Sequence, residues 1–291
     1  MKKLLLLVLL LYVKSMSAQT DTAYAYVDAN YKAVKGWNEA TYYYKAYKKD
    51  STSYILSVHN RAGQLQKREI YLDAGLTIKN GQSVVYKNGK PTYKGIYINN
   101  EREGIFVSYD TLGNVLRTES YQRDTLNGPY TFYWPNATIQ ETGNYRKGKK
   151  AGEWILQYEN GKPAIIEKFT DYGDSYSKTS FDESGKETTL DQIEAPPSFP
   201  GGIDKFYMFL ARNVKYPRDA AEQHIEGEVR MSFLVTETGA IENVKVERGY
   251  HPSLDAEALR VMKLSPKWTP GKLFGKPARV IYSIPIRFSL R

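Results

Sequence analysis

A period of 24 residues in the middle of the chain constrains its fold more than any other feature. Tyr97, Tyr121 and Tyr145 stand at that spacing, as do Gly104, Gly128 and Gly152, and Phe106, Tyr130 and Trp154. Tyr109 and Tyr133 keep the register, and Tyr158 follows with a slip of one residue. Columns of this kind mark a stack of like supersecondary units, each too small to bury an apolar face alone. Each unit reads as strand, turn, strand. In the third, Gly143-Asn144-Tyr145-Arg146 runs into the turn Lys147-Gly148-Lys149-Lys150, and Gly152 to Tyr158 forms the second strand. Alternating aromatics suit a pleated surface, and Gly and Asn supply the positive φ of tight turns. Further turns are expected at Asn88-Gly89, at Asp110 to Gly113 and at Asn160-Gly161, with Phe181 to Gly185 as a worn last copy.

The pattern Gly-x-Tyr-x-x-Gly-x-x-x-Gly-x-Trp followed by Tyr resembles MORN repeats over residues 80–181, in the bacterial form known as antitoxin-like repeats; the second unit departs from it, with Glu119 at the glycine position. The resemblance implies a scaffold or a surface-associated protein, and peripheral membrane association is an expectation of that kind. The aromatic columns read first as the packing ladder of a thin sheet. Most of the 25 tyrosines lie before residue 175, which extends the expectation of β-structure to residues 19–79.

The first residues are read separately. Lys2 and Lys3 precede the apolar run Leu4 to Val13, and small residues lead to Ala18. That is the layout of a signal peptide over residues 1–18. As a helix, so short a run rises about 15 Å, half of a hydrocarbon core of roughly 30 Å. Export to the periplasm is the expectation, with inner-membrane anchoring as the alternative if cleavage fails. There is no cysteine, which excludes disulfides, thiolate metal sites, a cysteine nucleophile and a lipidated N-terminal cysteine. The net charge of +9 is mild over this length and points to anionic envelope surfaces rather than to nucleic acid.

Between residues 182 and 199 charged and small residues give way to Pro196, Pro197 and Pro200, which reads as a linker. Beyond it the periodicity becomes mixed. Phe206, Phe209 and Leu210 fall on a helix face; Val229, Met231, Phe233 and Val235 alternate as in a half-buried strand; Val244 and Val246 mark its return. Leu254, Ala258, Val261 and Met262 mark a second helix, for which Ser253 or Asp255 is the expected N-cap. Val280, Tyr282, Ile284, Ile286 and Phe288 alternate through a last strand. Pro285 lies inside that strand, and proline has no N–H, so the strand belongs at a sheet edge. The fold class is α+β: an all-β hairpin-repeat region, then a small domain of two helices and a three-stranded antiparallel sheet.

Pro200-Gly201-Gly202, Asn213 to Pro217, Ile225 to Val229, Pro252 to Ala258 and Trp268 to Lys272 are similar to the TonB C-terminal domain family over residues 200–291. The resemblance implies binding of the short box peptide of an outer-membrane transporter, which adds as a strand beside the last strand. Carried over, the candidate binding residues are Asn213, Lys215, Tyr216 and Pro217, with Val280, Tyr282, Ile284, Ile286 and Phe288. The expected partner is an outer-membrane TonB-dependent receptor or another envelope protein, and the expected role is an energy-transducer-like adaptor. The alternative is a structural envelope scaffold whose TonB-like domain binds no box. Against the family, a signal peptide and repeats stand where a membrane helix and a Pro-rich spacer belong.

No enzyme is expected, and no cofactor. His59, His224 and His251 have no partners at metal-ligand spacing, and no Gly-rich phosphate loop occurs. His251, Ser253 and Asp255 are close in sequence, but members of a catalytic triad meet through the fold rather than within one helix start.

Overall fold

The computed structural model describes residues 22–290. The signal-peptide reading of residues 1–18 lies outside them. The chain divides into two compact units at Lys178, and each is described by itself.

The first unit is an antiparallel meander whose strands follow one another in chain order. They are β1 (Thr22–Val27), β2 (Tyr42–Asp50), β3 (Ser53–Asn60), β4 (Leu65–Tyr71), β5 (Lys79–Lys87), β6 (Lys90–Ile98), β7 (Glu101–Tyr109), β8 (Val115–Gln122), β9 (Thr125–Tyr133), β10 (Ile139–Arg146), β11 (Lys149–Gln157) and β12 (Pro163–Phe169). The 24-residue columns have a direct packing cause. Phe106 is fully buried, with Tyr93, Tyr97 and Tyr121 packed around it at 5.3–5.5 Å between ring centroids. Two units on, Trp154 holds the same place against Tyr145 at 4.9 Å and Tyr130 at 5.3 Å. Each large ring lies flat on the glycine of the preceding strand: a Cβ on Gly95 would stand 2.2 Å from the Phe106 ring, and one on Gly143 would stand 2.3 Å from the Trp154 ring. The repeat is therefore a glycine floor under an aromatic roof, renewed every second strand. The middle unit replaces the floor with buried Glu119, opposite Tyr130 and paired with Arg117 at 3.4 Å. Cations cap the ladder from outside: Arg102 stands 3.9 Å over Tyr121 and Lys150 4.0 Å over Trp154.

Strands β1–β4 have their own core of Val27, Tyr44, Leu56, Val58, Tyr71 and Leu76. At its border Glu69 is 3% exposed, accepts from the Tyr71 hydroxyl at 2.9 Å and pairs with Lys67 and Lys79 at 3.0 and 2.5 Å. Burial works to raise its pKa; the two ammonium groups outweigh that and leave it below the ordinary carboxylate value.

Strand β13 (Ser175–Phe181) carries the chain across the division, and its end pairs with β14 (Glu187–Thr188). The segment 182–199, expected as a linker, is instead seated on the second unit. Helix α1 (Leu190–Ile193) buries Ile193, and Phe199 enters the core. Ala195 and Lys272 exchange backbone hydrogen bonds, as do Ser198 and Thr269. The prolines stiffen this strap without loosening it: Pro197 is among the fully buried side chains.

The rest of the second unit is α+β. Helices α2 (Ile203–Asn213), α3 (Arg218–Glu222) and α4 (Pro252–Lys263) accompany a three-stranded antiparallel sheet of β15 (Gly227–Val235), β16 (Ile241–Arg248) and β19 (Val280–Phe288), in the order β16-β15-β19. Helix α3 is additional to the two read from sequence, as is the small hairpin of β17 (Gly271–Leu273) and β18 (Lys276–Ala278). Helix α4 starts one residue before the expected cap. His251 is the N-cap residue and Pro252 opens the first turn, while the Asp255 carboxylate reaches back to the Tyr250 N–H at 2.9 Å. Trp268 is the centre of the core, with Phe233, Phe206, Tyr282 and Phe199 all within 5.0–5.8 Å ring to ring. The Thr236-Glu237-Thr238-Gly239 turn is closed on it: the Trp268 N–H donates to the Gly239 carbonyl at 2.8 Å, and a Cβ on Gly239 would stand 2.0 Å from the Trp268 carbonyl oxygen.

Candidate functional site

The sheet of the second unit has two outer strands, and they are built differently. β16 meets β15 with two register shifts and holds Asn243 at a φ of 52°, so this edge is broken and bent. It also carries Glu242, Lys245, Glu247 and Arg248, a charged outer margin of the kind that discourages pairing. β19 pairs with β15 along all nine of its residues, from Gly227 opposite Phe288 to Val235 opposite Val280, without a shift. It is the straight edge.

The side from which β19 can still bond follows from one residue. In an antiparallel ladder the backbone groups of alternate residues point to opposite neighbours. Pro285 has no N–H, yet the register runs through it undisturbed, so its position belongs to the set facing away from β15. Ile281, Ser283 and Arg287 share that direction. Their N–H and C=O groups line the open side of the sheet.

The five residues of this strand named from sequence form the other set. Ile284, Ile286 and Phe288 are buried in the core, and Tyr282 packs against Phe233 and Trp268. Val280 begins the strand, half-buried, opposite Val235. Their side chains hold the strand in place, and their backbone groups are occupied by β15. Ile281 is 75% exposed and gives the edge one apolar contact. Arg287 lies 3.9 Å from Glu228.

Asn213, Lys215, Tyr216 and Pro217 sit where α2 turns into α3; the Asn213 amide, the Lys215 backbone N–H and the Tyr216 hydroxyl have partners within the domain, while the Lys215 side chain is exposed. The Asn213 side chain donates to the Phe209 carbonyl at 2.8 Å. The Lys215 N–H donates to Glu257 at 2.6 Å, and Arg260 donates both to Glu257, through two bonds of 2.7 Å, and to the Asn213 carbonyl at 2.6 Å. One ion pair on α4 thus clamps the segment by its backbone. Burial would raise the Glu257 pKa, but the Arg260 hydrogen bonds and the Lys215 amide bring it below the ordinary value, while Glu257 raises that of Arg260. The Tyr216 hydroxyl donates to the Ile225 carbonyl at 2.6 Å, and its ring meets Phe288 edge-on at 6.1 Å. Desolvation, and then the charge of Glu226, push its pKa up. Pro217 caps α3, whose first turn needs no N–H from it. This segment touches the last strand through Tyr216 and Phe288, from the core side.

Sequence reasoning did not single out Glu257 and Arg260, although their i,i+3 spacing beside the apolar stripe of α4 was visible.

The family model described as "Gram-negative bacterial TonB protein C-terminal" matches residues 212–290. A curated relative, Protein TonB of Helicobacter pylori, is 30% identical over 116 residues, which is 38% of this chain and 39% of the relative. The solution structure of the Helicobacter pylori TonB C-terminal domain is also similar, at 30% identity over 32% of this chain and 87% of that one, with a TM-score of 0.24. The match thus spans well under half the length of the curated TonB protein. Over residues 212–290 the chain carries a TonB C-terminal domain.

Proposed function

We propose that this protein is a periplasmic TonB-family adaptor whose C-terminal domain binds an extended segment of an outer-membrane transporter, or of another envelope protein, by strand addition to β19. The observation that carries the reading is the uninterrupted pairing of β19 with β15 on one side, together with Pro285 marking the other side as the open edge. An added strand is held by backbone bonds, so affinity is sequence-tolerant, while Ile281 offers one side-chain contact. Among the described residues no helix is long and apolar enough to cross a membrane. The role is binding without chemistry. Asn213 to Pro217 support the domain from within and are not the gripping surface.

The test uses the full chain and a synthetic peptide from the N-terminal segment of an outer-membrane TonB-dependent transporter. Bound peptide should slow amide exchange at Ile281, Ser283 and Arg287. The variant Ser283→Pro removes an edge donor while leaving the β15 ladder complete. It should weaken binding by about two- to twelvefold, from a net bond of roughly 0.5–1.5 kcal/mol, with melting unchanged. Protection on β16, or none on either strand, would reject strand addition at β19 and favour a scaffold role.

A further inference from the structure

The face of β1–β4 turned away from the Tyr44, Leu56 and Val58 core carries a second feature, unrelated to the C-terminal reading; it is buried along β3, at Ile55 and Ser57, and opens toward its flanks. Residues directly opposite each other in antiparallel strands share a face of the sheet. By that rule Tyr24, Lys45, Ser57 and Arg68 form one row across four strands, turned away from the core formed by Tyr44, Leu56 and Val58. Tyr43 and His59 form the neighbouring row, and Tyr47 begins the next. Together they line a trough of about 370 Å³, at the small end of ligand pockets, which run from roughly 300 to 1,000 Å³. Ser57, 6% exposed, is its floor, and Tyr24, 45% exposed, is a wall.

Two properties define what the trough would take. The first is charge. Other half-buried cations of this sheet have carboxylate partners: Lys67 and Lys79 on Glu69, Arg117 on Glu119, Lys150 on Glu141. Lys45 and Arg68 are half-buried too, yet neither is paired with a carboxylate among the described residues, and no carboxylate lines the trough. Lys45 rests only over the Tyr47 ring, at 5.6 Å. Half-buried cations left without counterions are expensive unless an anion arrives from outside. The second property is the use of the rings. Tyr43 is stacked on His59 at 4.9 Å, and Trp37 packs on Tyr43 at 5.4 Å. Their faces are spent on one another and Lys45 lies over the Tyr47 ring, which leaves edges, phenol hydroxyls and the ring of Tyr24. A nucleobase needs several open ring faces in series. A sugar needs one apolar platform and many hydrogen-bonding hydroxyls.

We propose that this trough binds an acidic saccharide, its anionic group held between Lys45 and Arg68 and one sugar face laid on Tyr24. Carboxylated, sulfated and phosphorylated sugars share that chemistry. The full-length protein would be titrated calorimetrically with a galacturonate oligosaccharide, a heparin-derived sulfated oligosaccharide, neutral maltotriose and single-stranded oligothymidylate. At least one acidic saccharide should bind, maltotriose should bind about tenfold more weakly or not at all, and added salt should weaken the acidic ligand. Arg68→Ala and Lys45→Ala should each weaken the acidic ligand about tenfold, the scale of one charge-assisted hydrogen bond. Tyr24→Ala alters an exposed edge-strand residue, so the fold is retained. It should weaken the same ligand about two- to tenfold. The proposal is overturned if maltotriose binds as well as the acidic sugars, if oligothymidylate binds more tightly than any of them, if no saccharide binds at millimolar concentration, or if Tyr24→Ala and Arg68→Ala both bind like the parent protein.

Discussion

The two units solve the problem of burying a sheet in opposite ways. In the first, every strand pairs with its chain neighbour, and the buried rings meet glycines one strand away. In the second, β15 is joined to β19 with one further strand, a helix and a hairpin lying between them in sequence. There a single ring, Trp268, touches the strap, α2, β15 and β19. The first design has stability that accumulates unit by unit. The second hangs on one shared centre, so its unfolding is expected to be all or none.

The largest expected effects test this contrast directly. Trp268→Ala and Phe106→Ala each delete a ring from a core, at a cost of roughly 3–5 kcal/mol. Trp268→Ala should lower the melting temperature of the second unit steeply and as one transition, because the loss is a large fraction of the about 5–15 kcal/mol that holds a domain of this size. Phe106→Ala should act locally: amides of β6–β8 exchange faster while those of β2 and β3 stay protected. Calorimetry with hydrogen exchange reads both. If Phe106→Ala unfolds β1–β12 in one step, the sheet is as cooperative as the C-terminal domain, and the contrast fails.

Glu257→Ala comes next. It strips Arg260 and the Lys215 N–H of their acceptor at one stroke. Breaking a fully buried pair costs roughly 3–5 kcal/mol; here Arg260 is partly exposed, so about 2 kcal/mol is expected in the melting of the second unit alone. A smaller effect is shared by both units. Glu69 and Glu257 each have a folded pKa below the ordinary value. A depressed carboxylate stabilises the fold above its unfolded pKa, near 4.3, and that contribution is lost as pH falls through the lower folded value. Both transitions should therefore fall in temperature on acidification below about pH 4.5. Glu69→Gln should flatten this dependence in the first unit only, and Glu257→Gln in the second only.

The parts of this architecture differ in how openly the sequence displays them. The hairpins were visible because Tyr, Gly and Trp recur in register, and the core strands of the second unit because Val229 to Val235 alternate. Helix α3 was not, since five residues are too few for a helical period to show. The hairpin β17–β18 escaped for the same reason, with three residues to a strand. Pro197 and Phe199 looked like linker residues because proline density is read as looseness, whereas here it fixes a strap. The alternation of Val280, Tyr282, Ile284, Ile286 and Phe288 shows which side chains face the core. It does not show which backbone groups face the edge, because the two directions are at right angles. Pro285 was the one residue carrying that second piece of information.

The smallest expected effect decides what Tyr216 is for. Tyr216→Phe keeps the ring on Phe288 and removes only the hydroxyl bond to the Ile225 carbonyl. That bond should be worth about 1 kcal/mol, so the second transition moves down by a few degrees and peptide binding at β19 is unchanged. The carbonyl left behind sits beside the turn between α3 and β15, where water can replace the phenol, and this keeps the cost low. The opposite result, full stability with lost binding, would mean that the hydroxyl meets the peptide. The binding surface would then extend from the open edge of β19 to the Asn213–Pro217 segment, and the division drawn here between a gripping strand and a supporting clamp would be wrong. Tyr216→Ala cannot make this distinction alone, because it also takes the ring from Phe288 and would lower the melting temperature in either case.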